Sequence, residues 1–109
     1  MPTLELPIVI NEHGDVMIFA TLQSAEQYLE PIDVENNEYL GYDALGRKLG
    51  FSTTRQRVTI ELADDPAIYQ AELEGLLRAF LGAVRHPAAT NPALTLAELL
   101  EQCAPYAQK

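Results

Sequence analysis

Residues 57–84 read RVTIELADDPAIYQAELEGLLRAFLGAV, and the change of rhythm inside this stretch decides the fold. Val58, Ile60 and Leu62 alternate with Arg57, Thr59 and Glu61, a period of two that predicts a strand with one buried face. Asp64-Asp65-Pro66 breaks the alternation. An Asp cap, a proline at the first helical position and acids at the positive end of the dipole predict a helix start there. Tyr69, Leu73, Leu76, Leu77, Phe80 and Val84 then recur at helical spacing, an apolar stripe suited to packing on a sheet. His86-Pro87 ends the helix. Val58, Ile60, Leu73, Leu77 and Phe80 are the expected common core.

Upstream, Leu4, Leu6, Ile8 and Ile10 alternate with Glu5, Pro7 and Val9, predicting a strand with one buried face. Pro7 lacks an N–H, which places that strand at a sheet edge or gives it an irregular start. The loop Asn11 to Asp15 leads into a second strand, Val16 to Ala20. Ser24 with Gln27 fits a capping box that opens a short helix. Pro31 limits that helix to about Glu30, because a residue before proline avoids α geometry. Glu38 to Tyr42 and Arg47 to Phe51 flank a turn with Gly46 in the left-handed region, predicting a hairpin. Downstream, Thr95 and Glu98 form a second capping box, Leu96, Leu99, Leu100 and Cys103 continue the stripe, and Pro105 stops it. The expected architecture is one α+β domain over residues 1–109. It has a mostly antiparallel sheet of about five short strands, with one short helix and two C-terminal helices packed against it.

The chain has 109 residues, 48% of them apolar, and a net charge of −9. One domain of this size buries roughly two-thirds of the surface its unfolded chain exposes, and that apolar content argues against disorder. The acidic balance argues against a nucleic-acid partner, which needs Lys and Arg to release counterions. One cysteine, Cys103, excludes an intramolecular disulfide. The first fifteen residues lack a basic and then apolar leader, no apolar run approaches the ~20 residues of a membrane span, and lipidation signals are missing. The expected location is cytoplasmic, with no membrane partner.

Charge is segregated along the chain. Residues 1–46 hold nine acids and no Lys or Arg, whereas residues 47–57 hold Arg47, Lys48, Arg55 and Arg57 and no acid. Glu26, Glu30, Asp33, Glu35, Glu38 and Asp43 form the densest acidic stretch, with Tyr28, Tyr39 and Tyr42 interleaved. Carboxylates steer a basic partner and tyrosines anchor interface centres. Glu30, Asp33, Glu35, Glu38, Tyr39, Tyr42 and Asp43 are therefore the candidate partner-binding residues. The alternative is a solvated acidic face whose tyrosines belong partly to the core, with the four bases pairing to it inside the fold.

No catalytic or cofactor motif stands out. Asp33-x-Glu35-x-Asn37 opens like a calcium loop, but Glu38 takes the glycine position and Ala44 the place of the bidentate glutamate. His13, His86 and Cys103 share no zinc spacing. Ser24 is accounted for by capping, Ser52 lies in a connector, and no G-x-S-x-G is present. Gly41, Gly46 and Gly50 form no phosphate-binding loop. Sixteen acids always offer carboxylate pairs, which makes such pairs uninformative. The expectation is a protein without enzymatic activity, metal or other cofactor.

Glu26 to Val34, followed by Glu38-Tyr39 and Tyr42 to Arg47, resembles the YLEPxDV…EY…YDxxGR core of small bacterial proteins akin to immunity proteins of polymorphic or contact-dependent toxin systems. The resemblance spans about residues 8–62 and weakens over the helical C-terminal third. It implies a non-enzymatic inhibitor (an antitoxin) that binds a cognate toxin domain and blocks its active site, and it transfers no binding residue. Toxins that cut nucleic acid carry basic clefts, which an acidic domain can fill by mimicking phosphate charge. The alternative is a small acidic adaptor or regulatory module for another basic protein.

Overall fold

In the computed structural model, which describes residues 3–109, the chain is an α+β protein built on both sides of one small sheet. β1 (Ile8–Glu12) and β2 (Asp15–Phe19) form an antiparallel hairpin, and β3 (Leu40–Tyr42) pairs with the other side of β1, giving the order β2-β1-β3. β4 (Leu49–Thr54) and β5 (Arg57–Leu62) make a separate antiparallel hairpin. α1 (Leu22–Tyr28) and α2 (Pro31–Glu35) lie between β2 and β3 in the chain, and α3 (Gln70–Ala83) and α4 (Leu96–Cys103) follow β5. All strand pairs within the two sheets are antiparallel, as expected; the five strands divide three and two.

The central strand explains this layering. Ile8, Val9 and Ile10 are all fully buried. Successive side chains of a strand point to opposite faces, so β1 has apolar layers on both sides. Ile8, Ile10, Met17 and Phe19 face α1 and the β4–β5 hairpin, where Ala25, Leu29, Leu49, Val58 and Ile60 complete one core. Val9, Ile18 and Tyr42 face α3 and α4, where Leu73, Leu77, Leu81, Leu99 and Cys103 complete the other. The expected common core is therefore two cores divided by a sheet: Val58 and Ile60 lie in the first, Leu73 and Leu77 in the second, and Phe80 is only partly buried against the second. The single buried face expected of β1 is corrected too, and of the two readings of Pro7 the edge position fails, since β1 is central, while the start beyond Pro7 holds. Pro7 precedes the ladder, which begins at Ile8 opposite Phe19, so its missing N–H costs no pairing.

Local boundaries shift for identifiable reasons. α1 is capped by Thr21, whose Oγ1 accepts from the Ser24 N–H at 3.1 Å. Ser24 is thus inside the first turn and not its cap. α1 stops at Tyr28, short of Pro31 as expected, and Pro31 itself stands at the first position of a further helix, α2, where the absent N–H is harmless. α3 begins at Gln70 and not at Pro66. Tyr69 donates its N–H to the Gly46 carbonyl at 2.7 Å and Ile68 bridges Arg47, which holds the intervening chain extended. Asp65 still acts as a local cap, accepting from the Ala67 N–H at 3.0 Å and the Tyr69 hydroxyl at 2.7 Å. The Thr95–Glu98 capping box forms as expected. At the C-terminus Gln108 pairs with the outer edge of β2, donating to the Ile18 carbonyl and accepting from the Ala20 N–H, both at 2.8 Å. No helix among the described residues is long and apolar enough to cross a membrane.

Candidate functional site

The seven candidate residues part into a buried turn and an exposed segment. Asp43 has no exposure and Tyr42 has 2%. One Asp43 oxygen, Oδ1, accepts from the Leu45 N–H at 3.1 Å and the Arg47 N–H at 3.0 Å, closing the turn between β3 and β4. The other, Oδ2, accepts from the Glu5 N–H at 3.2 Å and from Arg47 Nε at 2.9 Å, with Arg47 Nη2 at 2.6 Å. Nη2 also donates to the Thr3 carbonyl at 2.8 Å. Every accepting direction of the carboxylate is used inside the fold, and the buried charge is answered by a guanidinium that meets Oδ2 through both Nε and Nη2. Gly46 has a φ of 85°, and a side chain there would crowd the Gln70 N at 3.2 Å. Asp43 and Tyr42 are therefore structural and drop out of the partner-binding set. The tyrosine packs under α3 beside Tyr69, at 6.2 Å between ring centroids, and burial raises the pKa of its hydroxyl. An Asp followed three residues later by Gly is a type I turn signature, the one sequence signal that pointed to this role.

The other five stay together around α2. Glu30 precedes the helix and Glu35 ends it, both exposed, while Asp33 is half-buried between them. Tyr39 is half-buried against the first core and tilts on Phe51, at 6.0 Å between centroids. Its hydroxyl accepts from the Glu30 N–H at 3.2 Å and donates to Asp33 Oδ2 at 3.3 Å. Burial is the main reason its pKa rises. Tyr39 thus holds α2 in place, a positioning role and not that of a free anchor. Glu38 pairs with His13 Nε2 from the β1–β2 turn, and that hydrogen bond and charge raise the histidine pKa. Ile32 projects from the same helix at 64% exposure. A short helix that presents two free carboxylates around an exposed isoleucine has the mixed apolar and charged character of a protein-binding surface.

Tyr28, which sequence reasoning left outside the candidate set, is the open one of the three tyrosines in the acidic stretch: 54% exposed, on the flank of α1 beside the buried Ala25 and Leu29. Its ring rests on Phe19, at 5.5 Å between centroids. Of the four bases in residues 47–57, Arg47 pairs with the acidic stretch inside the fold, at Asp43, and among the described residues the other three form no ion pair with it. Arg47 is consumed by Asp43 and Lys48 sits over the Tyr69 ring at 4.7 Å. Arg78 donates to the Asn91 and Leu94 carbonyls.

The metal-ligating residue types are scattered. His13 is tied to Glu38, His86 Nδ1 accepts from the Ala88 N–H at 3.1 Å, and Cys103 is buried in the second core with its thiol pKa pushed up to about 11 by burial. Among the described residues no group of three or more His, Cys, Asp or Glu side chains comes together to hold a metal ion. Compared with protein-family models, curated proteins and solved structures, the chain matches none.

Proposed function

We propose that the protein is a non-enzymatic immunity protein. It binds a cognate bacterial toxin domain in the cytoplasm through the α2 face and covers the toxin's basic active site. The observation that carries this reading is the composition of that face. Glu30, Asp33, Glu35 and Glu38 surround an exposed Ile32, in a stretch of 46 residues without a Lys or Arg. Such a face steers a cationic partner and sets association rate, while the apolar contact sustains the complex. The likeness of residues 26–47 to toxin-immunity proteins supports the choice of partner.

The test is a toxin domain encoded beside this gene, expressed alone and with the protein. Co-expression restoring growth, together with a complex that survives gel filtration at low salt, is the expected outcome. A toxin that kills equally well in both cells, and does not co-elute, contradicts the reading.

A further inference from the structure

The outer edge of β5 is half closed. Arg55 and Gln56, at φ of 52° and 63°, form the two-residue turn bracketed by the Thr54–Arg57 pair. A turn of this kind makes its flanking pair a hydrogen-bonded one, so the main-chain groups of Arg57, Thr59 and Glu61 point to β4, and those of Val58 and Ile60 point away from it. Two bonds confirm the parity. Ala63 donates inward to the Lys48 carbonyl at 3.0 Å, and Ile60 donates outward to Glu26 Oε2 of α1 at 2.8 Å. The Glu26 carboxylate thus stands where the carbonyl of a neighbouring strand would stand. One step earlier, Val58 has the same outward N–H and carbonyl. It is 6% exposed, and among the described residues no protein group pairs with its amide. An unpaired main-chain pair at a strand edge that opens into a groove is a template for another strand.

Val58 opens into a groove of about 590 Å³ between α1 and the β4–β5 turn. Glu26, Tyr28 and Glu30 line one wall, Gln56 and Arg57 the other. Among the described residues no carboxylate lies within ion-pair distance of Arg57, and the Tyr28 hydroxyl makes no hydrogen bond to protein. We infer that this groove receives one extended segment of the partner polypeptide, paired to β5 through the Val58 N–H and carbonyl. A Lys or Arg of the segment is turned toward Tyr28 and Glu30. Main-chain pairing supplies the affinity and the wall supplies the choice of side chain. The cation meets a carboxylate and an aromatic ring together. Glu26 ends the pairing at Ile60 and so fixes the register to one residue. The cationic segment rests on the reading of a basic protein partner; the strand geometry does not.

The probe is a blocked pentapeptide, acetyl-Val-Lys-Val-Lys-Val-amide, titrated into the isotopically labelled protein. The expected result is amide shifts at Val58, Tyr28 and Glu30, with slower exchange of the Val58 N–H. N-methylating the central residue removes a main-chain donor without touching the protein, and should weaken binding about tenfold. Replacing both lysines by glutamate, or Glu30→Gln in the protein, should weaken it comparably. If the N-methylated peptide binds equally well, or shifts gather on Asp33 to Glu38, strand addition is overturned while the acidic face remains a partner surface. Absence of any shift at Val58 with the lysine peptide also overturns it. The toxin co-expression result stands apart from all of these.

Discussion

Two neighbouring stretches of this chain use the same residue types to opposite ends. Tyr42 and Asp43 sit in a turn whose carboxylate is fully buried and collects four protein donors, Arg47 among them. Glu30 to Tyr39 is the more acidic stretch, but its carboxylates face solvent or make single contacts, half-buried at Asp33 and exposed at Glu38. A buried ion pair is costly to break from one side, whereas exposed pairs contribute little. The difference lies in tertiary context: the Asp43 turn is pinned between Glu5, Gly46 and the approach to α3, while α2 is a one-turn helix held by Val34 against the first core and by the Tyr39 hydroxyl. The half of the motif around Asp43 carries the fold, and the half around α2 is free to carry recognition.

The sharpest way to break this contrast is Asp43→Ala. It leaves the Arg47 guanidinium without its partner and should cost about 3–5 kcal/mol in a denaturant melt. A loss below about 1 kcal/mol would place Asp43 among the ordinary exposed carboxylates. Leu77→Ala should cost about 2–5 kcal/mol through the cavity it leaves in the second core. Because Ile60 packs on the far side of the sheet, adding Ile60→Val should give costs that sum to within about 0.5 kcal/mol. Strong coupling between the two would mean a single core. Tyr39→Phe removes both hydrogen bonds of the hydroxyl and should cost about 1 kcal/mol, with α2 amides exchanging faster than those of β1.

The smallest effect concerns His13. Its pKa is raised by Glu38, so the pair stabilises the fold below the unfolded histidine pKa of about 6.5, and that contribution fades as pH climbs through the raised folded value. His13→Gln should flatten stability between pH 6 and 8, and a melt series unchanged by the substitution would remove Glu38 from any structural role. Asp65 and Glu98 run the other way. Backbone N–H bonds from Ala67 and Thr95 lower their pKa values, so their contribution is present above the unfolded carboxylate range and is lost as pH falls through the folded values.

Elements with strong local signals were legible in the sequence. The alternation of β5, the Thr95–Glu98 box and the left-handed Gly46 need only near neighbours, and each stands as expected. Elements set by distant contacts were not. The uninterrupted Ile8-Val9-Ile10 run marks a strand covered on both faces, a pattern that the flanking alternation masked. α2 begins with a proline that reads equally as a stop or a start, and the late start of α3 depends on Gly46 more than twenty residues away. For the site, charge was legible and depth was not. Asp and Tyr are the same letters in the turn as on α2, and only the tertiary neighbours separate Asp43 from Asp33 or Tyr42 from Tyr28.

The central claim, the proposal that the acidic α2 face and not the Asp43 turn meets a partner, is tested most directly by association kinetics with the proposed toxin domain. The variant is Asp33→Lys, Glu35→Lys and Glu38→Lys combined, which should cost no more than about 2 kcal/mol, because it removes the Asp33–Tyr39 bond and the Glu38–His13 pair but no fully buried charge. The account predicts an association rate lowered by about tenfold or more at low salt, with the difference shrinking as ionic strength rises. A folded triple variant that associates at the wild-type rate at every salt concentration would contradict it.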